Sequence, residues 1–165
     1  IAVFVGVILA ALVFAWEQGK KVNGKTKMSK DGFKTYTLTG SLFFGSANSF
    51  KELFSINEDP DHVVIDFKNA KVLDHSGIEA IQNIVAAYFK LGVQEMLSPR
   101  RSRSLARPRQ IAMYLSKQHT TNSLPDIGRK FSNRDHTTVI HAVKKIDELI
   151  KNDNEIKQSV PIHPY

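Results

Sequence analysis

The sequence predicts a mixed fold, in which an incomplete α/β piece is followed by an all-α helix-turn-helix domain. Charge is the first observation behind this prediction. Residues 1–80 carry nine Lys and nine acidic residues, whereas residues 81–165 carry fourteen Lys or Arg and seven acidic residues and so hold the whole net charge of +7. Aromatic residues are the second, since eight of the ten Phe precede residue 81. We therefore expect two unlike pieces within 165 residues.

The basic half predicts a polyanionic partner. Between Ser98 and Lys145 eleven Lys or Arg face only two acidic residues, and such a surplus favours nucleic acid or an anionic membrane surface. The absence of cysteine excludes a disulfide scaffold, a thiolate nucleophile and a thiolate metal site. His136 and His141 are five residues apart rather than four and have no carboxylate set nearby, so we expect no metal and no cofactor.

The first sixteen residues contain no charged side chain. A bilayer-spanning helix needs about 20 apolar residues, and the chain opens at Ile rather than Met. We therefore expect residues 1–16 to be the end of a transmembrane helix that begins upstream. Trp16 suits a membrane interface, and the Lys residues after it would place the remainder on the cytoplasmic side, anchored to the bacterial inner membrane. A buried core helix or strand is the alternative, and residues 17–32 are expected to be a juxtamembrane linker.

That linker contains the phosphate-loop pattern G-x-x-x-x-G-K-[ST] at residues 19–26. Such a loop binds phosphate only between a buried strand and a helix whose first amides face the ligand. Neither element is predicted here, because a long apolar run precedes the pattern and no helical periodicity follows it. A nucleotide-binding enzyme is therefore the least favoured of the functional hypotheses.

Residues 33–80 predict a mixed sheet covered by helices. The pattern alternates in the β manner before Gly40, which is expected to end the first strand, and an uninterrupted apolar run indicates a buried strand later. The expected elements, in order, are strands at 35–39 and 41–44, a helix at 46–54, a strand at 62–67 and a helix from Ile78.

Residues 38–45, 63–67 and 72–78 resemble the STAS domain of SulP-type anion transporters. The resemblance implies an alternative function, as the cytoplasmic regulatory tail of a sulfate transporter. In bacterial STAS relatives the Ser of an Asp-x-Ser-Gly loop can be phosphorylated, and Ser76 occupies that position; alternatively, Asp74 and Ser76 cap the following helix. Because the resemblance stops after this helix, we expect a truncated domain whose core is small.

Helical patterns dominate the second half. The first helix is expected at 78–91, and the second from about Pro108, which helix N-termini accept, to Gln118. Ser123 can cap a short helix, and Asp135 opens a long helix with apolar residues on one side and polar, basic residues on the other. A short helix, a tight connection and a long helix with a basic face indicate a helix-turn-helix.

Residues 100–110, 123–128 and 134–142 resemble the DNA-binding domain of the bacterial replication initiator DnaA. The specific part is the Arg-Asp-His-Thr-Thr block after Leu-Pro-x-Ile-Gly. The resemblance implies binding to double-stranded DNA at a DnaA box, in origin recognition and the regulation of replication initiation. We expect this domain at 81–152, with a tail at 153–165. Since the first half does not resemble the family's ATPase domain, the expected activity is DNA binding and not catalysis.

The resemblance also implies a role for each matched residue. Arg101 would enter the minor groove, because a flexible Arg suits a narrow, electronegative channel. Asp135, His136 and Thr137 would meet base edges in the major groove, and Pro125 a thymine methyl group; Asp135 can cap its helix at the same time. The residues expected at phosphates or at the groove edge are Arg109, Gln110, Arg134, Thr138, His141 and Lys145.

Two positions depart from the DnaA pattern, and one helix fits both families. Asn133 stands where the family commonly has Gly, and His119 where an apolar residue is usual, so we expect a weaker turn or looser packing there. The helix at 78–91 serves as the second STAS helix and as the first DnaA helix. We therefore expect a join of two unrelated genes inside it.

Overall fold

The computed structural model describes residues 2–19, 22–30, 32–60, 63–72, 75–152 and 160–162. The helices are α1 (Ala2–Gly19), α2 (Ala47–Glu52), α3 (His75–Tyr88), α4 (Val93–Leu97), α5 (Arg103–His119), α6 (Leu124–Lys130) and α7 (His136–Asn152), with a 3-10 turn at Phe44–Ser46 before α2. The strands are β1 (Asn23–Met28), β2 (Lys34–Leu42), β3 (Val63–Val72) and β4 (Val160–Ile162). A sheet with helices, followed by a helical region, confirms the predicted mixed class.

The strands form one sheet in the order β1-β2-β3-β4. β2 and β3 are parallel, with Lys34 opposite Val63, while β1 and β4 are antiparallel to their neighbours. The parallel pair needs a crossover connection, and α2 lies in it. β4 comes from the segment that was expected to be a tail, and it places Ile162 beside Val63.

β1 lies where the sequence predicted a linker at 17–32. The strand pairs with β2 along its whole length, from Asn23 to Met28. Its charged, weakly alternating sequence resembles a linker because exposed edge strands carry Lys to discourage further pairing. The phosphate-loop pattern ends within this strand, at Gly24, Lys25 and Thr26. That placement is not the strand–loop–helix geometry that a phosphate loop requires.

β2 is one strand, although two were predicted. Gly40 lies within it with φ +106°, next to a register shift between Thr37 and Thr39. Glycine adopts this conformation at little steric cost, so the chain passes through the irregularity and the ladder resumes. The helix predicted at 46–54 is observed as α2 over Ala47–Glu52, directly after the 3-10 turn, and it ends two residues earlier than expected.

Residues 2–16 of the expected transmembrane end at 1–16 lie in α1. Ten large apolar side chains of α1 lie at the surface, each 50–77% exposed. Trp16 meets Phe43 edge to face, with 6.3 Å between ring centroids. Among the helices formed by the described residues, none is both long and apolar enough to cross a bilayer.

The core of the first half lies between the sheet and helices α2 and α3. Tyr36 and Phe67 project from adjacent strands onto Phe50 of α2 and onto Phe54, two residues after α2. Ring centroids are 4.8 Å apart for Tyr36–Phe54 and 6.2 Å apart for Phe50–Phe67. All four side chains are buried. Fully burying one such side chain stabilises a fold by about 1.5–3 kcal/mol, so this aromatic cluster holds α2 on the sheet.

A buried carboxylate, Asp59, joins three parts of the first half. Its side chain is 1% exposed and accepts hydrogen bonds from Lys34 Nζ at 2.5 Å, Tyr36 Oη at 2.8 Å and Tyr88 Oη at 2.5 Å. Burial, and then the bond to Asp59, raises the pKa of Tyr88 well above its usual range, so the phenol stays a donor. Because a buried charge is costly unless paired, Asp59 ties β2, the loop before β3 and α3 to one another.

α3 packs against both halves of the chain. Ile78, Ile81 and Val85 are buried in one continuous core that includes the strands and helices α5 to α7. The far end of α5 also reaches the sheet, where the ring of His119 stacks on Phe67 at 4.6 Å between centroids. His119 therefore fills a position between α5 and β3, where looser packing was expected, and burial lowers its pKa.

Gly77 lets α3 approach the sheet closely. A Cβ at this position would lie 2.1 Å from Cγ1 of Val72 and 3.4 Å from the carbonyl oxygen of Leu42. Val72 is buried and β-branched, so its methyl group has little freedom to move away. The first turn of α3 can sit on the ends of β2 and β3 only with glycine at this position.

We predict that Gly77→Ala lowers the free energy of unfolding by about 1–3 kcal/mol, as overpacking of a core does. Denaturant unfolding followed by circular dichroism measures it. Gly19→Ala is the control, because a Cβ at Gly19 meets nothing within 4 Å, and its effect should stay within about 0.5 kcal/mol. Equal effects of the two substitutions would contradict the proposed close contact.

Candidate nucleic-acid interface

Helices α6 and α7, with the five residues between them, form the helix-turn-helix. Ser123 caps α6 as predicted, since its hydroxyl accepts the N–H of Asp126 at 3.3 Å. Ile127 and Phe131 are fully buried and hold α6 against the core. Asp126 forms an ion pair with Arg129 on the same helix, so one of the two acidic residues in this basic region is neutralised locally.

Close backbone contacts fix the turn between α6 and α7. The N–H of Arg134 donates to the carbonyl of Gly128 at 2.9 Å. A Cβ at Gly128 would lie 2.1 Å from the carbonyl oxygen of Arg134, so only glycine fits there. Ser132 and Asn133 have φ of +61° and +53°. The position where glycine is usual thus needs a left-handed conformation, which Asn adopts more readily than most residues.

The first residues of α7 form an exposed polar cluster. The carboxylate of Asp135 accepts the N–H of Thr137 at 3.0 Å, and its backbone carbonyl accepts the N–H of Thr138 at 3.0 Å. The hydrogen bond from Thr137 is the main cause that lowers the pKa of Asp135. Nδ1 of His136 lies 2.7 Å from Oδ1 of Asp135. Capping therefore fixes Asp135 while leaving His136 and Thr137 open to a ligand.

The rest of α7 has two unlike sides. Val139, Ala142 and Ile146 are buried, as their spacing predicted. His141 and Lys145 are exposed on the polar side. The exposed positions therefore continue the polar cluster along the helix, which is the arrangement of a helix that can lie in the major groove.

Arg109 does not lie where a phosphate contact was expected. The residue is 5% exposed, and its guanidinium donates to three backbone carbonyls: Met96 at 2.7 Å, Ser98 at 2.8 Å and Arg100 at 3.2 Å. Burial, and then the charge of Arg134, lowers the pKa of Arg109 to about 10. Arg109 therefore holds the segment that leads into α5 and has no open surface for DNA.

Arg134 lies beside Arg109 and is half-buried. Its Nη2 donates to the carbonyl of Ser98 at 2.8 Å, the same oxygen that accepts Arg109. Among the residues that the structure describes, no hydrogen-bond acceptor meets the buried Nε of Arg134. Two cations around one carbonyl oxygen leave positive charge that a nearby phosphate would neutralise.

The start of α5 differs from the prediction and adds two cations to the site. The helix begins at Arg103, and Pro108, which was expected near the N-terminus, is buried inside it. Arg103 and Arg107 are consequently one helical turn apart; burial, and then the charge of Arg103, lowers the pKa of Arg107. Neither residue was among those predicted to contact DNA, although their i, i+4 spacing indicates a shared helix face. Arg101 is exposed just before the helix.

The remaining candidates have less distinctive surroundings. Pro125 is exposed in the first turn of α6, while Gln110 and Thr138 are half-buried. Ser76 lies in the first turn of α3 and lines a cleft of 410 Å³ together with Lys51. Asp74, its expected companion as a cap, lies outside the described residues.

Comparison with known proteins concerns chiefly the second half. Residues 78–146 match the family model of the bacterial dnaA protein helix-turn-helix. The chain is 54% identical over 85 residues to the chromosomal replication initiator protein DnaA of Mesorhizobium japonicum. The matched region covers 52% of this chain and 17% of that protein. Identity to DnaA of Rhizobium meliloti is 46% over 114 residues, or 69% of this chain and 24% of that protein.

One solved structure is similar to the first half. The crystal structure of an antisigma-factor antagonist STAS domain from Rhodobacter sphaeroides shares 32% identity with a TM-score of 0.40, covering 43% of this chain and 78% of that one. The chain spans less than a quarter of the length of the curated DnaA relatives named above. Its second half, from α3 to α7, is thus similar to the helix-turn-helix part of bacterial DnaA proteins.

Proposed function

We propose that this chain binds double-stranded DNA sequence-specifically, at sites of the DnaA-box type, and acts in origin recognition and the regulation of replication initiation. Its place would be at the chromosome, in the bacterial cytoplasm, and its contribution would be binding and not catalysis. The observation that carries the proposal is the exposed cluster Asp135, His136 and Thr137 at the start of α7, held by the Gly128 turn.

The cluster suits contact with base edges in the major groove. Asp135 can accept a hydrogen bond from a cytosine amine, and the methyl group of Thr137 can pack on a thymine methyl. The same carboxylate caps α7 by accepting the amide N–H of Thr137. This hydrogen bond restricts the rotation of the Asp135 side chain and so fixes the position of its carboxylate. Pro125 is exposed in the first turn of α6 and is proposed to contact a thymine methyl group from there.

The cations around the turn suit the DNA backbone. We assign phosphate or groove-edge contacts to the polar residues that keep an open surface, and the minor groove to Arg101. The proposed backbone set is Arg103, Arg107, Gln110, Arg134, Thr138, His141 and Lys145. The positive charges of Arg103, Arg107, Arg134 and Lys145 would account for most of the non-specific affinity, through the release of counterions from DNA.

Arg109 is revised from a phosphate contact to a positioning residue. Its three hydrogen bonds hold the backbone of residues 96–100, immediately before Arg101. We propose that Arg109 acts on DNA only through the placement of that segment.

We also propose that the sheet is a shortened relative of the STAS domain of SulP-type transporters. The support is that the residues carrying this resemblance form the parallel β2–β3 pair and the glycine-dependent start of α3. In this chain its proposed role is to support α3 and, through it, the DNA-binding helices.

The full chain should prefer a DnaA-box duplex over a scrambled duplex by on the order of a thousandfold, the low end for specific binders. Fluorescence anisotropy at one stated salt concentration measures both affinities. Thr137→Ala should cost about 1–3 kcal/mol on the box and little on the scrambled duplex. Thr26→Ala, at an exposed position of β1, is the matched control and should change neither. Equal affinity of the unaltered chain for both duplexes would refute specific binding.

Arg101 and Lys145 should differ in how they affect binding. A minor groove narrowed by A·T pairs concentrates negative potential, so Arg101→Ala should reduce the preference for boxes with A·T-rich flanks. Lys145→Ala should weaken all duplexes about equally and make the salt dependence shallower by about one unit. Lys25→Ala, on exposed β1, controls for net charge. The same sequence-independent loss for both variants would exclude the minor groove as the site of Arg101.

Arg109→Ala should act on stability before it acts on DNA. Hydrogen bonds to a charged group contribute about 1.5–3 kcal/mol each. The carbonyls of Met96 and Arg100 would lose this donor, whereas the carbonyl of Ser98 would keep Arg134. The free energy of unfolding should fall by at least about 2 kcal/mol, whereas Lys145→Ala should leave it unchanged. Denaturant unfolding without DNA decides between the roles, since a plain phosphate contact would leave stability intact.

A further inference from the structure

α1 presents more apolar surface than a monomer normally leaves open. Its ten large apolar side chains stay 50–77% exposed, and none belongs to the hydrophobic core of the described residues. Burying a large apolar side chain removes roughly 100 Å² from water, so these ten offer on the order of 800 Å². The largest apolar patch on a typical monomer is about 300–600 Å². The surface of α1 therefore fits a helix that is covered by a partner.

We propose that α1 binds α1 of a second copy of this chain. A standard interface buries about 800 Å² on each partner. The apolar area of α1 is of this order and surrounds the helix, so pairing with one copy covers one side and assembly of two pairs covers most of the rest. Residues 2–16 contain no charge, so two copies meet without burying an unpaired ion, a step that would be costly. The same patch on both chains satisfies the self-complementarity of a two-fold dimer.

The shape of α1 also suits pairing of identical helices. Gly6 and Ala10 lie one helical turn apart, and a Cβ at Gly6 would meet nothing within 4 Å. Small residues at this spacing let two helix backbones approach closely. Because the apolar residues surround α1, two pairs can also combine into a four-helix bundle.

Self-association has a consequence that rests on the proposed function. Each copy in a dimer carries one helix-turn-helix domain, so a dimer could bind both boxes of a duplex that contains two. The second contact is then intramolecular, and the gain in affinity over a single box is on the order of a hundredfold when the spacing suits both domains.

Single cysteines test the contact directly, because the chain has none. Ile8→Cys places a thiol on α1, and Met28→Cys places one on β1; both side chains are 59% exposed, which makes them matched. With a short bis-maleimide, Ile8→Cys should give covalent dimers at micromolar chain concentration, and Met28→Cys should stay monomeric. Equal cross-linking of the two variants would overturn the proposal.

Sedimentation of the unaltered full chain without DNA gives the second measurement. A dimer or tetramer is expected, and Ile8→Glu should shift its dissociation at least about tenfold to higher concentration, while Met28→Glu should not. A monomeric unaltered chain overturns the proposal, as does a monomer that binds vesicles of neutral lipid through α1, which would make lipid the partner.

The Ile8→Glu variant should keep its affinity for a single box and lose only the additional affinity for paired boxes. If the unaltered chain does not bind a single box, the proposed function is refuted, whereas the proposed dimer is not affected.

Discussion

The structure depends on one helix, α3, that is packed from both sides. Its buried residues complete the core under the sheet and the core under α5 and α6 at the same time. Polar contacts fix it at both ends of that core: Tyr88 bonds Asp59 on the sheet side, and Gln82 donates to the carbonyl of Lys130 at the end of α6 at 2.9 Å. These contacts fix the orientation of α3 in the structure, so the sheet and the helix-turn-helix are both placed relative to this one helix.

In the candidate nucleic-acid interface, two neighbouring Arg residues have different roles. Arg109 is buried and saturates three carbonyls, whereas Arg134 shares one of them and keeps a buried nitrogen without an acceptor among the described residues. Burying a guanidinium is costly unless its donors are satisfied. Arg109 meets that requirement within the protein, and Arg134 would meet it in full with an anion. This difference separates a positioning residue from a candidate phosphate contact on physical grounds.

Local patterns predicted the second half well and the first half less well. The periodicity of α7 and the cap at Ser123 depend on neighbours within one or two turns, so the sequence contains the whole signal. The edge strand β1 and the passage of β2 through Gly40 depend on pairing with distant residues, which propensity does not encode. Arg109 was predicted to contact phosphate for the same reason, since a run of Arg residues does not indicate which side chain is buried. The base and phosphate contacts themselves stay predictions, because they require the DNA.

The two ends of α5 explain how a sheet can support the site without covering it. The helix has 17 residues, which makes it about 25 Å long. His119 at one end stacks on Phe67 of β3, while Arg103 and the segment that carries Arg101 lie at the other. The length of α5 thus separates the buried contact of His119 with Phe67 from the exposed basic surface at Arg101 and Arg103. The proposed binding of DNA at the basic end would then leave the packing of α5 on the sheet undisturbed.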